Sequence, residues 1–205
     1  MMALRILKHW LPVILMGAGI WQLGSGGWIL AKAELAQYLI SDAWHRQLAS
    51  GEIHKPWPWA DTWPVAQIKM GEDKPLMVLR GTSGQALAFG PGMLDGAGEP
   101  GKLLAPRTTV VAAHRDTHFK NLDKLQPGHV IQLQDQSGRW HSFRVNGTKV
   151  VDSEKERLPI VAAPDLLLVT CYPFNAMRAG GPLRYLVHAE YVEPEPRGQT
   201  STVHL

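Results

Sequence analysis

Apolar and polar positions divide the chain into two regimes. His9 to Ala31 holds no Asp, Glu, Lys or Arg over 23 residues. As a helix that stretch would reach about 35 Å, enough for a bilayer core. Arg5 and Lys8 precede it and favour a cytoplasmic N-terminus. Its five glycines weaken a soluble helix more than a membrane one. A retained anchor is the expectation. A cleaved signal peptide ending near Ala31-Lys-Ala33 and a buried soluble helix are the rivals. Ala31 to Leu48 keeps helical composition, and Ser50-Gly51 stops it. His54 to Pro64 sets three tryptophans among three prolines, which excludes helix and central strand. A linker packed on the following domain is expected there, with a lid or an interfacial belt as alternatives.

From Val65 the period changes to that of strands. Val65 to Met70 alternates, Leu76 to Leu79 is a short apolar run, and Gly71 to Pro75 is a turn between them. Gly81 to Leu87 reads as a turn into a short helix, and Gly90 to Gly101 as loop. Thr108 to Ala113 is a strand followed directly by His114-Arg115-Asp116. Phe119, Leu122 and Leu125 have helical spacing, which predicts a helix over Thr117 to Leu125. Val130 to Leu133 is a strand. Trp140 to Val151 alternates around Asn146-Gly147, a local signal for a hairpin. Leu166 to Val169 is a continuous apolar run, closed by Thr170-Cys171 and the breaker Tyr172-Pro173. Arg184 to Val192 is the last strand. Seven or eight short strands with one or two helices predict a mainly β, barrel-like domain from about Asp61 to Glu193. Pro194 to Leu205 is polar and reads as a tail.

Composition narrows the partners. At 205 residues the chain holds one modest domain plus the N-terminal segment. A net charge of +3 without long Lys/Arg runs gives no footprint for nucleic acid. The single cysteine excludes an internal disulfide and a Cys/His zinc site, and the nine histidines form no HExxH pair. No cofactor and no metal are called for. Asp152, Glu154 and Glu156 could bind calcium, but a solvated charged loop is the expected reading.

A lone cysteine is either a buried small hydrophobe or a reactive thiol. Cys171 ends a strand beside a proline, where a rigid element aims a side chain into a cleft. His114 ends another strand, and Arg184 begins the next. A cation lowers a thiol's pKa, an imidazole moves protons, and a guanidinium holds a carbonyl or an oxyanion. Together they form a kit for cysteine-based acyl transfer. His118 is a rival base, Arg178 a rival cation, and His188 is expected to be structural.

In this order of segments the chain resembles the sortases, membrane-anchored cysteine transpeptidases of bacteria. Ala113-His114-Arg115 is similar to the family's Gly-His-Arg, with alanine for glycine. Phe119 to Gly128 resembles the family's following helix segment, with His129 in place of the usual acid. Leu168-Val-Thr170-Cys171 matches Leu-x-Thr-Cys, and Arg184 lies 13 positions on. Leu76 to Gly92 looks like the family's strand, short helix and strand. The Trp-Pro-rich entry resembles a proteobacterial branch.

The resemblance implies an eight-stranded sortase-type β-barrel with short helices, preceded by a transmembrane helix, and one long irregular strand across Asn146-Gly147. Residues 1–8 would be cytoplasmic, 9–31 the anchor, 32–60 a helical and Pro/Trp-rich linker, 61–193 catalytic and 194–205 a tail. The chemistry would need nothing before about Trp59. It implies a single-pass protein of the bacterial cytoplasmic membrane with an extracytoplasmic catalytic domain. The substrate would be a surface protein with an LPxTG-like sorting signal, cut between Thr and Gly. Cys171 would form the thioester, His114 would be the acid/base, and Arg184 would hold substrate or oxyanion. Thr170 would be a substrate contact, and a cell-wall or protein amine the acceptor. The alternatives are a cysteine hydrolase on the same barrel and a membrane-tethered binding module. An L,D-transpeptidase-like enzyme is disfavoured because its His-Gly and Ser-x-Gly-Cys contexts are absent.

Overall fold

A computed structural model describes residues 2–176 and 180–193. Arg178 and the tail expected at 194–205 lie outside the described residues. The chain forms two compact units, Met1–Leu39 and Ile40–Leu205. The first is most of helix α1, which runs Met2–Ser50. It carries Trp10, Leu15, Trp21 and Leu30 exposed. From Trp10 it is long and apolar enough to cross a membrane.

The second unit is built on a closed barrel. Its strands are β1 (Pro64–Met70), β2 (Leu76–Arg80), β3 (Gly92–Met93), β4 (Thr109–Ala112), β5 (Val130–Gln134), β6 (Trp140–Asp152), β7 (Leu166–Cys171) and β8 (Leu183–Val192). They close in the order β1-β2-β3-β4-β7-β8-β6-β5. The eight-stranded expectation holds. Two neighbours are parallel, β2 with β3 and β4 with β7; the others are antiparallel. Helix α2 (Gly84–Phe89) bridges β2 to β3, with Ser83 as its N-cap accepting from the Ala86 N–H. A Cβ at Gly92 would strike the Gly81 carbonyl, so only glycine lets β3 lie this close.

Asn146-Gly147 does not turn the chain. Strand β6 runs straight through it, and the register against β8 shifts between Val145 and Gly147. Asn146 donates to Glu190 Oε1 at 2.8 Å, and its Oδ1 lies 2.8 Å from His188 Nδ1. Long pairing with β8 outweighs the local turn signal, and the extra residue becomes a bulge. The helix expected over Thr117 to Leu125 is shorter: turns lead to one 3-10 turn at Leu122–Lys124. Phe119 and Leu122 are nonetheless buried in the barrel core. Apolar spacing thus identified the inward face without fixing the helix type.

The end of α1 belongs to the barrel unit. Ala36, Ile40, Ala43, Trp44 and Gln47 form a buried stripe of helical period. Ile40 packs with Leu79 and Ala86, joined by Trp57, Met77 and Phe89. Trp57 meets Phe89 edge-on at 5.2 Å, and Arg80 lies over the Trp63 ring at 5.0 Å. The sequence alone implies that nothing before about Trp59 is needed for chemistry and that a chain from about Asp61 folds on its own. Such a chain leaves out this segment, which covers the apolar outer face of β2 and α2.

Two outcomes follow from this packing. A chain beginning near Ala36 should unfold cooperatively in urea, and Trp44→Ala in it should cost roughly 3–5 kcal/mol. An unchanged midpoint would mean the helix end does not support the barrel. The second concerns Asp135, in the β5–β6 turn. Burial alone would raise its pKa. Hydrogen bonds from His141, the Ser137 hydroxyl and the Arg139 and Ser137 backbone N–H groups outweigh that and hold it below the ordinary 3.8. A depressed folded pKa stabilises the fold above the unfolded value, and the gain is lost as pH falls through the folded one. Stability should therefore drop below about pH 4, and Asp135→Asn should flatten part of that fall. Identical pH curves for both proteins would remove Asp135 as a contributor.

Candidate active site

Strand register brings the expected residues to one place. Strand β7 pairs antiparallel with β8, and Cys171 lies directly opposite Arg184. Directly opposed residues carry neighbouring side chains on one face. Strand β4 pairs parallel with β7 from Thr109↔Leu166 to Ala112↔Val169. Continued two steps past the end of β4, the same register would set His114 level with Cys171. The Ala113 N–H donates to the Val169 carbonyl at 3.1 Å, so the pairing continues past the end of β4.

Alternation settles which face they share. Leu166 and Leu168 of β7 enter the barrel core, whereas Leu167 and Val169 join a second apolar cluster on the outer face. Val110 of β4, Leu186 of β8 and Val151 of β6 complete that cluster, under Leu158 and Ile160 of the β6–β7 loop. Cys171 has the parity of Val169, Arg184 that of Leu186, and His114 that of Val110 and Ala112. Cys171 and Arg184 therefore terminate the outer face, at the edge of an apolar cluster roofed by a loop, and His114 follows β4 by two residues. Two hollows of about 990 and 470 Å³ lie elsewhere, without any of the three in their linings.

Thr170 has the opposite parity. It is 2% exposed, and its hydroxyl donates to the Ala113 carbonyl at 2.7 Å. The expected substrate contact is thus replaced by a structural one: Thr170 ties the end of β7 to the end of β4. Val or Ala here would leave that carbonyl short of a donor, at a cost on the order of 1 kcal/mol.

Cys171 is a free thiol of intermediate exposure. His114 is exposed, and its carbonyl accepts from Phe119 N–H at 3.1 Å. His118 is half-buried; burial first, and the charge of nearby His114 second, hold its pKa below the ordinary 6.5. At neutral pH it is an uncharged neighbour of His114. Arg184 Nη1 donates to the carbonyls of Gly181 at 2.7 Å and Leu183 at 2.9 Å. Among the described residues its Nε and Nη2 make no hydrogen bond, which leaves donors for a ligand. His188 bridges Asn146 and Asp165 and is structural, as expected. Asp152 and Glu156 are paired with Lys155 and Lys149.

Two features had no role in the sequence. Tyr172, Phe174 and Tyr185 form an aromatic group beside Cys171, with Phe174 and Tyr185 edge-on at 5.2 Å and Tyr172 stacked on Tyr185 at 6.3 Å. Arg115, next to His114, is buried and donates to carbonyls of the loop after Cys171. The first had a faint signal, three aromatics within a short distance of the cysteine. The second had one, its place in the segment similar to Gly-His-Arg, but that match gave Arg115 no role.

Comparison with known proteins agrees with this geometry. The family model described as the sortase domain matches residues 69–192. No curated protein matches the chain. Among solved structures, sortase A from Corynebacterium diphtheriae is 25% identical with a TM-score of 0.55. The match covers 68% of this chain and 66% of that one, just under two thirds of its length. A sortase D5 transpeptidase from Clostridium perfringens has a TM-score of 0.60 at 19% identity, over 78% of this chain and 99% of that one. A sortase C from Clostridium perfringens, solved with the C-terminal cell wall sorting motif, has a TM-score of 0.54 at 22% identity, over 80% and 91%. A family domain that runs from the end of β1 to the end of β8, on a closed eight-stranded sheet with a cysteine and an arginine in register, means that the chain belongs to the sortase family of cysteine transpeptidases.

Proposed function

We propose that the chain cleaves an LPxTG-like sorting signal between Thr and Gly and joins the acyl part to an amine. The observation that carries this reading is the register pairing Cys171 with Arg184, with His114 two residues past the end of the neighbouring strand β4. The Clostridium perfringens sortase C solved with the C-terminal cell wall sorting motif supports the substrate class.

In this mechanism the Cys171 thiol gives its proton to His114 as the sulfur attacks the Thr carbonyl carbon, and the carbonyl electrons move onto oxygen. Arg184 donates to that oxygen, where charge develops. As the tetrahedral centre collapses, the Thr–Gly C–N bond breaks, and His114 gives the leaving amine its proton. A thioester on Cys171 remains. An acceptor amine attacks it, His114 takes the amine's proton, and the thiolate leaves. The acceptor is a cell-wall or protein amine. Residues 9–31 cross the cytoplasmic membrane once, with 1–8 inside and the catalytic domain 61–193 outside, joined through 32–60.

The test is cleavage and transfer on a short LPxTG-type peptide, with and without an added amine. Cys171→Ala should show no thioester and no turnover. His114→Ala should lose roughly 10²–10⁴-fold. Arg184→Lys should lose roughly 10²–10³-fold, mainly in kcat, because an ammonium lacks the planar fork. Near-normal turnover in Arg184→Ala, with loss in Arg178→Ala, would move the cation role to Arg178. The same free acid with and without amine would make the chain a hydrolase.

Topology has its own measurement. Protease added outside intact spheroplasts should release the barrel domain. A mature N-terminus near residue 33 would instead mean a cleaved signal peptide.

A further inference from the structure

Arg115 immediately follows His114. It stands in the turn after β4, two residues past Ala113 of the barrel core. Its side chain is only 4% exposed. Nη1 donates to the Pro173 carbonyl at 2.7 Å, and Nη2 to the Ala176 carbonyl at 3.0 Å. Nε lies 3.3 Å from Asp116 Oδ1, on a carboxylate that is itself largely exposed. Pro173 is the second residue after Cys171. One side chain therefore spans from the end of β4 to the loop that leaves the cysteine.

The chemistry of this contact is selective. Taking a guanidinium out of water costs several kcal/mol unless its N–H groups are bonded. A methionine would fill much of the same space without that cost. What the guanidinium adds is a rigid planar fork that holds two carbonyls at once. Both belong to the segment just after Cys171, and the arginine is covalently next to His114. A displacement of that segment is thus a displacement of Cys171 relative to His114. Arg184 holds the far end of the same loop through Gly181. Arg115 holds the near end, from inside, where it cannot meet a ligand on the outer face.

We propose that Arg115 is a positioning residue that sets the separation of the Cys171 sulfur and the His114 imidazole by clamping 173–176 to the chain after β4. This rests on the roles given above to Cys171 and His114. Arg115 forms no bond to substrate and moves no proton. Its effect should fall on the chemical step, since small misplacements of reacting groups are costly while substrate binding elsewhere is untouched.

The experiment compares full-length protein in detergent micelles: unaltered, Arg115→Lys, Arg115→Met and Cys171→Ala. Each is assayed well below its own melting temperature. The readouts are kcat and KM for an LPxTG-type peptide with a saturating amine, and the pH dependence of Cys171 alkylation by iodoacetamide. Arg115→Met should lose on the order of 10²-fold in kcat with KM changed by less than about threefold. Arg115→Lys should recover part of that loss, because one ammonium can hold one carbonyl but not both. The alkylation profile of both variants should shift along the pH axis, as the thiol's relation to His114 changes. A lowered melting temperature with unchanged kcat and an unchanged alkylation profile would overturn the proposal and leave Arg115 a packing residue. If Arg115→Met does not fold, Arg115→Lys decides: full kcat there overturns the proposal as well. Activity in Cys171→Ala would instead sink the reading of the site itself, whatever Arg115 does.

Discussion

The parallel pairing of β4 with β7 is the constraint on which the site depends. It brings residues 57 positions apart in sequence into contact, from Thr109↔Leu166 to Ala112↔Val169. Parallel neighbours cannot be joined by a tight turn, so the chain must cross the barrel between them. Here the crossing contains β5, β6 and two long loops. The pairing is secured at its chemical end by Thr170 Oγ1 donating to the Ala113 carbonyl and by the Ala113 N–H donating to Val169. Neither bond touches the reacting groups. Without them, the strand ends bearing His114 and Cys171 would be free to splay.

Parallel strands are usually covered on both faces, and this barrel supplies the second cover locally. The inner face of β4, β7 and β8 packs into the core. Their outer face packs against the β6–β7 loop through Leu158 and Ile160. The bulge in β6 contributes to that arrangement. Phe143 and Val145 point inward, yet Val151, of the same odd parity, joins the outer cluster. One extra residue reverses the facing of everything after it. Asn146 is that residue, and Glu190 and His188 hold its amide in place. The local turn signal at Asn146-Gly147 thus marks an irregularity inside one long strand, as the resemblance implied.

This two-sided burial also explains why so much was legible. Leu166 to Val169 is a continuous apolar run because both faces are covered, and that run located the strand and its end. Strand-end positions for His114, Cys171 and Arg184 followed from breakers such as Pro173 and Gly180-Gly181. What periodicity could not supply was the facing of individual residues relative to loops. Thr170 looked like a neighbour of the chemistry because it precedes the cysteine, but one step along a strand reverses the side chain. The buried stripe Ile40 to Gln47 was hidden inside a longer helical segment whose first part is apolar all round. The role of Arg115 was invisible because its partners are backbone carbonyls far away in sequence, and carbonyls leave no mark in the residue pattern.

The same alternation pairs each chemical residue with a structural neighbour. Cys171 follows Thr170, whose hydroxyl is bonded inside. His114 lies between Ala113, in the core, and Arg115, clamped to loop carbonyls. Arg184 precedes Tyr185, which packs on the core cluster and on Phe174. Each outward side chain is thereby fixed by an inward one on the adjacent residue, with no hinge between them. A site built this way is held by the barrel interior rather than by contacts among the reacting groups.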